Sequence, residues 1–160
     1  IIGTPLDWLG INYYTRNLIK FDGMDKAFPL TDIQGPLEKT DMNWEVYPEG
    51  LTKIIENEVQ RYNIDIPLHI TENGLANKDF DIGGKVDDQN RIDYYFLHLQ
   101  QVKTLIEKGY NIKSFFAWSL LDNFEWSFGY SKRFGLVYVD FESQKRTKKK
   151  SWYEFAKNLN

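Results

Sequence analysis

Residues 64–74 read IDIPLHITENG, and this stretch decides the fold. Its apolar run ends in Glu72, a carboxylate set between Thr71 and the turn pair Asn73-Gly74. A strand that merely stops needs only the turn. The carboxylate needs another reason, and the flanking segments suggest one.

Upstream, residues 6–14 (LDWLGINYY) form a second apolar and aromatic run and read as a buried strand. Downstream, residues 112–121 (IKSFFAWSLL) read as a third. Helical patterns separate them. Pro48 opens the first helix, a position proline tolerates, with Leu51, Ile54, Ile55 and Val59 as its apolar stripe. The second spans about residues 88–108, with Ile92, Tyr95, Phe96, Leu99, Val102, Leu105 and Ile106 on one side and Lys108-Gly109 as the stop. A short closing helix is expected over residues 151–159, with Ser151 as N-cap. Residues 15–46 show no clear period and contain Gly23, Pro29, Gly35 and Pro36. A connection this long is expected to be functional or mobile. Residues 73–86 and 122–133 read as loops, the second rich in aromatics, and residues 134–141 as an extra hairpin arm. The charge run Lys148, Lys149, Lys150 reads as a solvated turn.

Strand, helix, strand, helix, strand, helix means parallel strands under covering helices. A doubly wound sheet would want a Gly-rich phosphate loop after a strand, and none is present. All three strands instead carry polar or aromatic residues at their C-terminal ends: Asn12 and Tyr14, Glu72 and Asn73, Trp118 and Ser119. Barrel enzymes place their chemistry there. The reading is part of a (β/α)8 TIM barrel, as one domain over residues 1–160 with no separate second domain. That fold takes roughly 250 residues, so much of it is expected to lie outside these 160.

Composition narrows the function. Hydrophobic residues make up 42% and aromatics 16%, enough for a core and for flat sugar-binding faces. The net charge of −3 argues against nucleic acid. Cysteine is absent, which removes disulfides and thiolate metal sites. His69 and His98 form no local ligand motif. No run reaches 18 apolar residues, so no membrane span is expected. No signal peptide is visible and a cytoplasmic location is expected, although the chain starts at Ile1 and an earlier leader stays possible.

A carboxylate at a strand end can be a nucleophile, a base, a metal ligand or a cap. Tyr14, at another strand end, could donate a hydrogen bond that keeps Glu72 ionised and aimed. Glycoside hydrolysis uses such chemistry, with one carboxylate attacking the anomeric carbon and a second carboxyl protonating the leaving oxygen.

Four segments in order carry a closer likeness: LDWLGINYYT, ITENG, FFAWSLLDNFEWSFGYSKRFGLVYVDF and RTKKKSWYEF. Together they resemble the C-terminal part of glycoside hydrolase family 1, the β-glucosidase-like retaining enzymes. They look like strands six to eight of that family's barrel. The resemblance implies Glu72 as nucleophile and Tyr14 as its hydrogen-bond donor. It implies Asn12 in support of the carboxylate and Trp118 beneath the glycone sugar. Glu125 and Trp126 would grip the distal hydroxyls, and Phe134 would line the same pocket. It further implies a terminal non-reducing β-D-glucosyl substrate, with β-galactosyl or β-fucosyl possible, from a small β-glucoside or cello-oligosaccharide. No metal or organic cofactor would be needed. Members acting on 6-phosphorylated sugars are similar but carry a Ser-Lys-Tyr set. Here only Lys132 remains, with Glu125 and Phe134 in the other two places. A carboxylate would repel the phosphate.

The family's acid/base glutamate sits in an Asn-Glu-Pro motif ahead of this region. Asn57-Glu58 is followed by Val59 inside an amphipathic helix, so it does not fill that place. The N-terminal part of the same barrel is therefore the expected partner. The competing readings are a non-catalytic sugar-binding or vestigial fragment, and a 6-phospho-β-glycosidase.

Overall fold

The computed structural model describes residues 4–23 and 28–157. In chain order the elements are β1 (Leu9–Asn12), β2 (Leu18–Phe21), β3 (Leu30–Ile33), α1 (Glu49–Tyr62), β4 (Leu68–Asn73), α2 (Gln89–Glu107), β5 (Ile112–Ala117), a single 3-10 turn (Trp126–Phe128), β6 (Val137–Val139), β7 (Arg146–Lys148) and α3 (Lys150–Lys157). β1, β4 and β5 form one sheet in that order, and both pairings are parallel. Each sheet strand is followed by a helix, as the alternation predicts, and α2 packs between α1 and α3.

The strands end where pairing ends, so they are shorter than the apolar runs that announced them. β4 carries an irregularity that matters later. Ile11 pairs with Ile70, but Asn12 pairs with Glu72; on the other side Ile70 pairs with Phe115 and Asn73 with Ala117. β4 thus holds one residue more than either neighbour around Thr71, the signature of a β-bulge.

The core lies between sheet and helices. Leu51 and Ile55 of α1, Leu68 and Ile70 of β4, and Val102 and Leu105 of α2 close on Tyr13. Gly50 lets Tyr13 through, since a Cβ there would stand 1.9 Å from the tyrosine oxygen. Tyr13 then donates to the Tyr47 carbonyl at 2.5 Å.

Several sequence expectations need correction. Residues 15–46 contain an antiparallel hairpin, β2 with β3. Its strands are exposed at nearly every position, so no burial alternation marks them. Ile54 is exposed and leaves the α1 stripe. On α2 the buried face is Arg91, Tyr94, Tyr95, His98, Val102 and Leu105, while Phe96 and Ile106 are exposed. The face is rotated because an arginine and a histidine take core positions that an apolar count cannot see. Ser151 is not the cap of α3 but lies within it, and its N–H and hydroxyl donate to Asp88 at 2.8 and 2.5 Å. Leu159 lies outside the described residues. The 134–141 arm is as expected, with β6 paired to β7.

The largest correction concerns Lys149. It is not solvated but fully buried, bonded to Asp79 at 2.5 Å and Asp122 at 2.8 Å. Burial, and then the nearby Arg91 guanidinium, push its ammonium below the usual lysine range. Arg91 itself is buried and pairs with Asp79 at 2.7 Å and with Asp88. Lys148 stays exposed over the Trp152 ring.

His98 is a second buried polar group with a consequence. Its Nδ1–H donates to the Tyr94 carbonyl at 2.8 Å, its ring stacks 3.9 Å from the Tyr94 ring, and its Nε2 is buried without a partner among the described residues. Burial pushes its pKa down to about 4. The unfolded chain takes up that proton near 6.5. The neutral ring therefore supports the fold fully above about pH 6.5, and that support is lost as pH falls towards about 4. Urea midpoints should fall more steeply for wild type than for His98→Phe between pH 7 and 4.5. Parallel slopes would assign the acid sensitivity to other groups.

Candidate active site

The three sheet strands deliver their C-terminal ends to one mouth. Glu72 lies at the end of β4, just after the bulge. Tyr14, two residues beyond β1, donates its hydroxyl to Glu72 Oε2 at 2.6 Å. That length is typical of a charge-assisted bond to a carboxylate. Burial, and next the bonded Glu72, hold the Tyr14 hydroxyl well above the ordinary tyrosine range, so it remains a donor at any working pH. The Tyr14 ring packs against both Trp44 and Phe134, with centroids at 5.5 and 6.1 Å. Tyr94 of α2 fixes the backbone here, donating to the Tyr14 carbonyl at 3.0 Å.

Asn73 turns to the other side of the sheet. It is completely buried, and its amide nitrogen donates to the Tyr13 carbonyl at 2.8 Å. Gly74 follows because nothing larger fits: a Cβ there would stand 1.9 Å from the Trp118 carbonyl oxygen. Trp118 leaves β5 held to β4, its N–H donating to the Asn73 carbonyl at 2.7 Å, and the Trp118–Ser119 peptide is cis.

Glu125 approaches from the loop after β5. Burial, and then the charge on Glu72, raise it above the ordinary carboxylate range. The two carboxylates therefore share one field. Trp126 stands on the 3-10 turn and is 83% exposed. Phe134 is fully buried against Tyr14 and Trp44. Asn12 pairs with Glu72 in register, but its side-chain oxygen accepts from the Thr71 hydroxyl at 2.7 Å.

Of the residues named from sequence, Tyr14, Glu72 and Phe134 are in direct contact, and Glu125 feels the charge on Glu72. Trp118 is half-buried at the same strand ends. Trp44 belongs with them and was missed. It sits in the long 15–46 segment, where no period singles it out, and only its ring contacts reveal it. Among the described residues no group of three or more His, Asp or Glu could hold a metal ion. No helix among them is long and apolar enough to cross a membrane.

Known proteins match this arrangement. A 1,4-β-D-glucan glucohydrolase of Thermotoga neapolitana is 47% identical over 156 residues, covering 97% of this chain and 35% of the relative. A 6-phospho-β-galactosidase of Streptococcus equi subsp. zooepidemicus is 42% identical, covering 92% of this chain and 36% of the relative. The solved β-glucosidase of Thermotoga maritima in complex with deoxynojirimycin superposes with a TM-score of 0.90 at 46% identity, covering 97% of this chain and 35% of that one. The chain thus spans about a third of the length of the relatives it matches. The model of glycosyl hydrolase family 1 matches residues 1–160. A match through every residue, on strands that superpose this closely, settles the classification: the chain belongs to glycosyl hydrolase family 1, and its three parallel strands are strands of that family's (β/α)8 barrel.

Proposed function

We propose that this chain carries the nucleophile and part of the sugar pocket of a retaining β-glucosidase. The observation that supports it best is the 2.6 Å bond from Tyr14 to Glu72 Oε2 at a bulged strand end. With Oε2 held, Oε1 is the oxygen free to attack. It forms a C–O bond to the anomeric carbon while the glycosidic bond breaks, and a second carboxyl group protonates the departing oxygen. Water then attacks the anomeric carbon of the glycosyl ester. It gives its proton to the second group, now a carboxylate, and Glu72 leaves as a carboxylate. Net retention follows from two displacements. The second carboxyl must lie about 5–5.5 Å from Glu72. We assign it to the part of the barrel outside these residues. Glu125 instead binds the sugar. A carboxylate in reach of two hydroxyls accepts from both, while Trp126 and Trp118 offer flat faces to the ring.

The 6-phosphate reading has a relative in its favour, the streptococcal 6-phospho-β-galactosidase. Three observations weigh against it. Glu125 brings negative charge into the mouth, Phe134 offers no hydroxyl, and Lys132 is already engaged. Its ammonium donates to the Asp41 carbonyl at 2.5 Å and to the Asp41 carboxylate at 3.0 Å.

The test is to trap the intermediate. A 2-deoxy-2-fluoro aryl β-glucoside slows both steps by starving the cationic transition state, while a good leaving group keeps the first step fast. The full-length gene product should gain one fluoroglucosyl mass on the peptide containing Glu72. An adduct elsewhere, or none, ends this reading. Faster hydrolysis of the 6-phosphorylated aryl glucoside than of the plain one would reverse the choice of substrate.

A further inference from the structure

The loop that carries Glu125 and Trp126 makes two outward contacts, Lys132 with the Asp41 carboxylate at 3.0 Å and the Tyr130 ring with Phe141 at 4.2 Å between centroids, but its tip around Glu125 and Trp126 is open. Phe124, Trp126, Phe128 and Tyr130 are all exposed there. Local bonds shape the tip, with the Glu125 N–H donating to the Gly129 carbonyl at 2.7 Å and the Phe128 N–H to the Glu125 carbonyl at 2.9 Å. They do not tie it to the barrel.

The base is held separately, and one carboxylate gathers that hold. Asp122 is wholly buried and takes four donors. Its Oδ1 accepts from the Gly135 N–H at 2.9 Å and the Lys149 ammonium at 2.8 Å. Its Oδ2 accepts from Arg133 at 2.7 Å and the Val139 N–H at 3.3 Å. Gly135 permits the approach, since a Cβ there would stand 2.2 Å from the Asp122 nitrogen. The bonds then run in a closed ring. Lys149 continues to Asp79 at 2.5 Å, Asp79 to Arg91 at 2.7 Å, and Arg91 to the Arg133 carbonyl at 2.9 Å. Asp79 belongs to the loop that follows Glu72 along the chain. The ring therefore fastens the Glu125 loop to the Glu72 loop.

We propose that Asp122 is a positioning residue: by closing the base of this loop it fixes Glu125 and Trp126 relative to Glu72, and so sets how sharply the site distinguishes the sugar's distal hydroxyls. This rests on the glycosidase reading. Asp122 touches no substrate; it acts through Glu125.

Asp122→Asn in the full-length gene product tests it, because the amide keeps the shape but turns one acceptor into a donor facing donors. Amide exchange over residues 123–132 should quicken at least tenfold, while exchange in β4 stays as in wild type. The KM for an aryl β-glucoside should rise about tenfold with a smaller fall in kcat, and the preference between glucoside and galactoside should narrow. Unchanged exchange over 123–132 overturns the proposal, as does faster exchange with an unaltered glucoside-to-galactoside ratio. Should Asp122→Asn not fold, Arg133→Gln removes one of the four donors and carries the same comparison. Wild-type protein without glycosidase activity would sink the glycosidase reading instead, and the exchange pattern would still decide whether Asp122 closes the loop.

Discussion

Glu72→Gln is expected to lower turnover of an aryl β-glucoside by the full-length protein by on the order of 10⁴-fold or more, the scale seen when a covalent nucleophile is removed. The amide is nearly isosteric and can still accept the Tyr14 hydroxyl, which now lies 2.6 Å from Oε2. The fold should therefore survive, and near-wild-type circular dichroism would show it. What disappears is the charge that bonds to the anomeric carbon. Glu72→Ala sharpens the test by opening space at the same point. A small anion such as azide, entering there, should restore turnover and give a glycosyl azide of inverted configuration, because it attacks once from the face that Glu72 uses. Activity within tenfold of wild type in Glu72→Gln would remove Glu72 from the chemistry.

Arg91→Met is the change expected to cost most in stability, about 3–5 kcal/mol, the usual loss on breaking a buried ion pair from one side. Arg91, Asp79 and Asp88 all have side chains with zero exposure. Asp79 would keep Lys149 at 2.5 Å. Among the described residues Asp88 would keep only the Ser151 N–H and hydroxyl, at 2.8 and 2.5 Å, with no cation. Methionine fills similar space, so the loss measures stranded charge and not a hole. Asp88→Asn in the same molecule should recover part of it, since neighbouring sites do not add. Denaturant midpoints decide: a single-variant loss below about 1 kcal/mol would mean that water reaches the cluster and screens it.

The cluster also marks where sequence reading runs out. The strand ends were legible because apolar runs finishing on Tyr14, Glu72 and Trp118 are a local pattern. Lys149 was not. Its bonding partners Asp79 and Asp122 are 70 and 27 positions away, and a run of three lysines looks the same whether its middle member faces water or a carboxylate. The buried face of α2 was misplaced for the same reason, since Arg91 and His98 count as polar until their partners are known. The β2–β3 hairpin escaped notice because exposed strands leave no alternation. Trp44 became a site residue only through ring contacts to Tyr14 and Phe134.

The extra residue in β4 has a last consequence. Along a regular strand Glu72 would share a side with Ile70, two positions earlier. Ile70 belongs to the core beneath the helices. Parity changes at the bulge, so Asn73 inherits that inner side, bonded to Tyr13 and Tyr94, and Glu72 is turned outward to Tyr14. The placement of the carboxylate is thus written in the number of residues before it as well as in their kinds. A scan that swaps side chains one by one would leave that count untouched, whereas deleting Thr71 alone would remove the bulge and leave Glu72 directly after Ile70, kept on the opposite side by plain alternation.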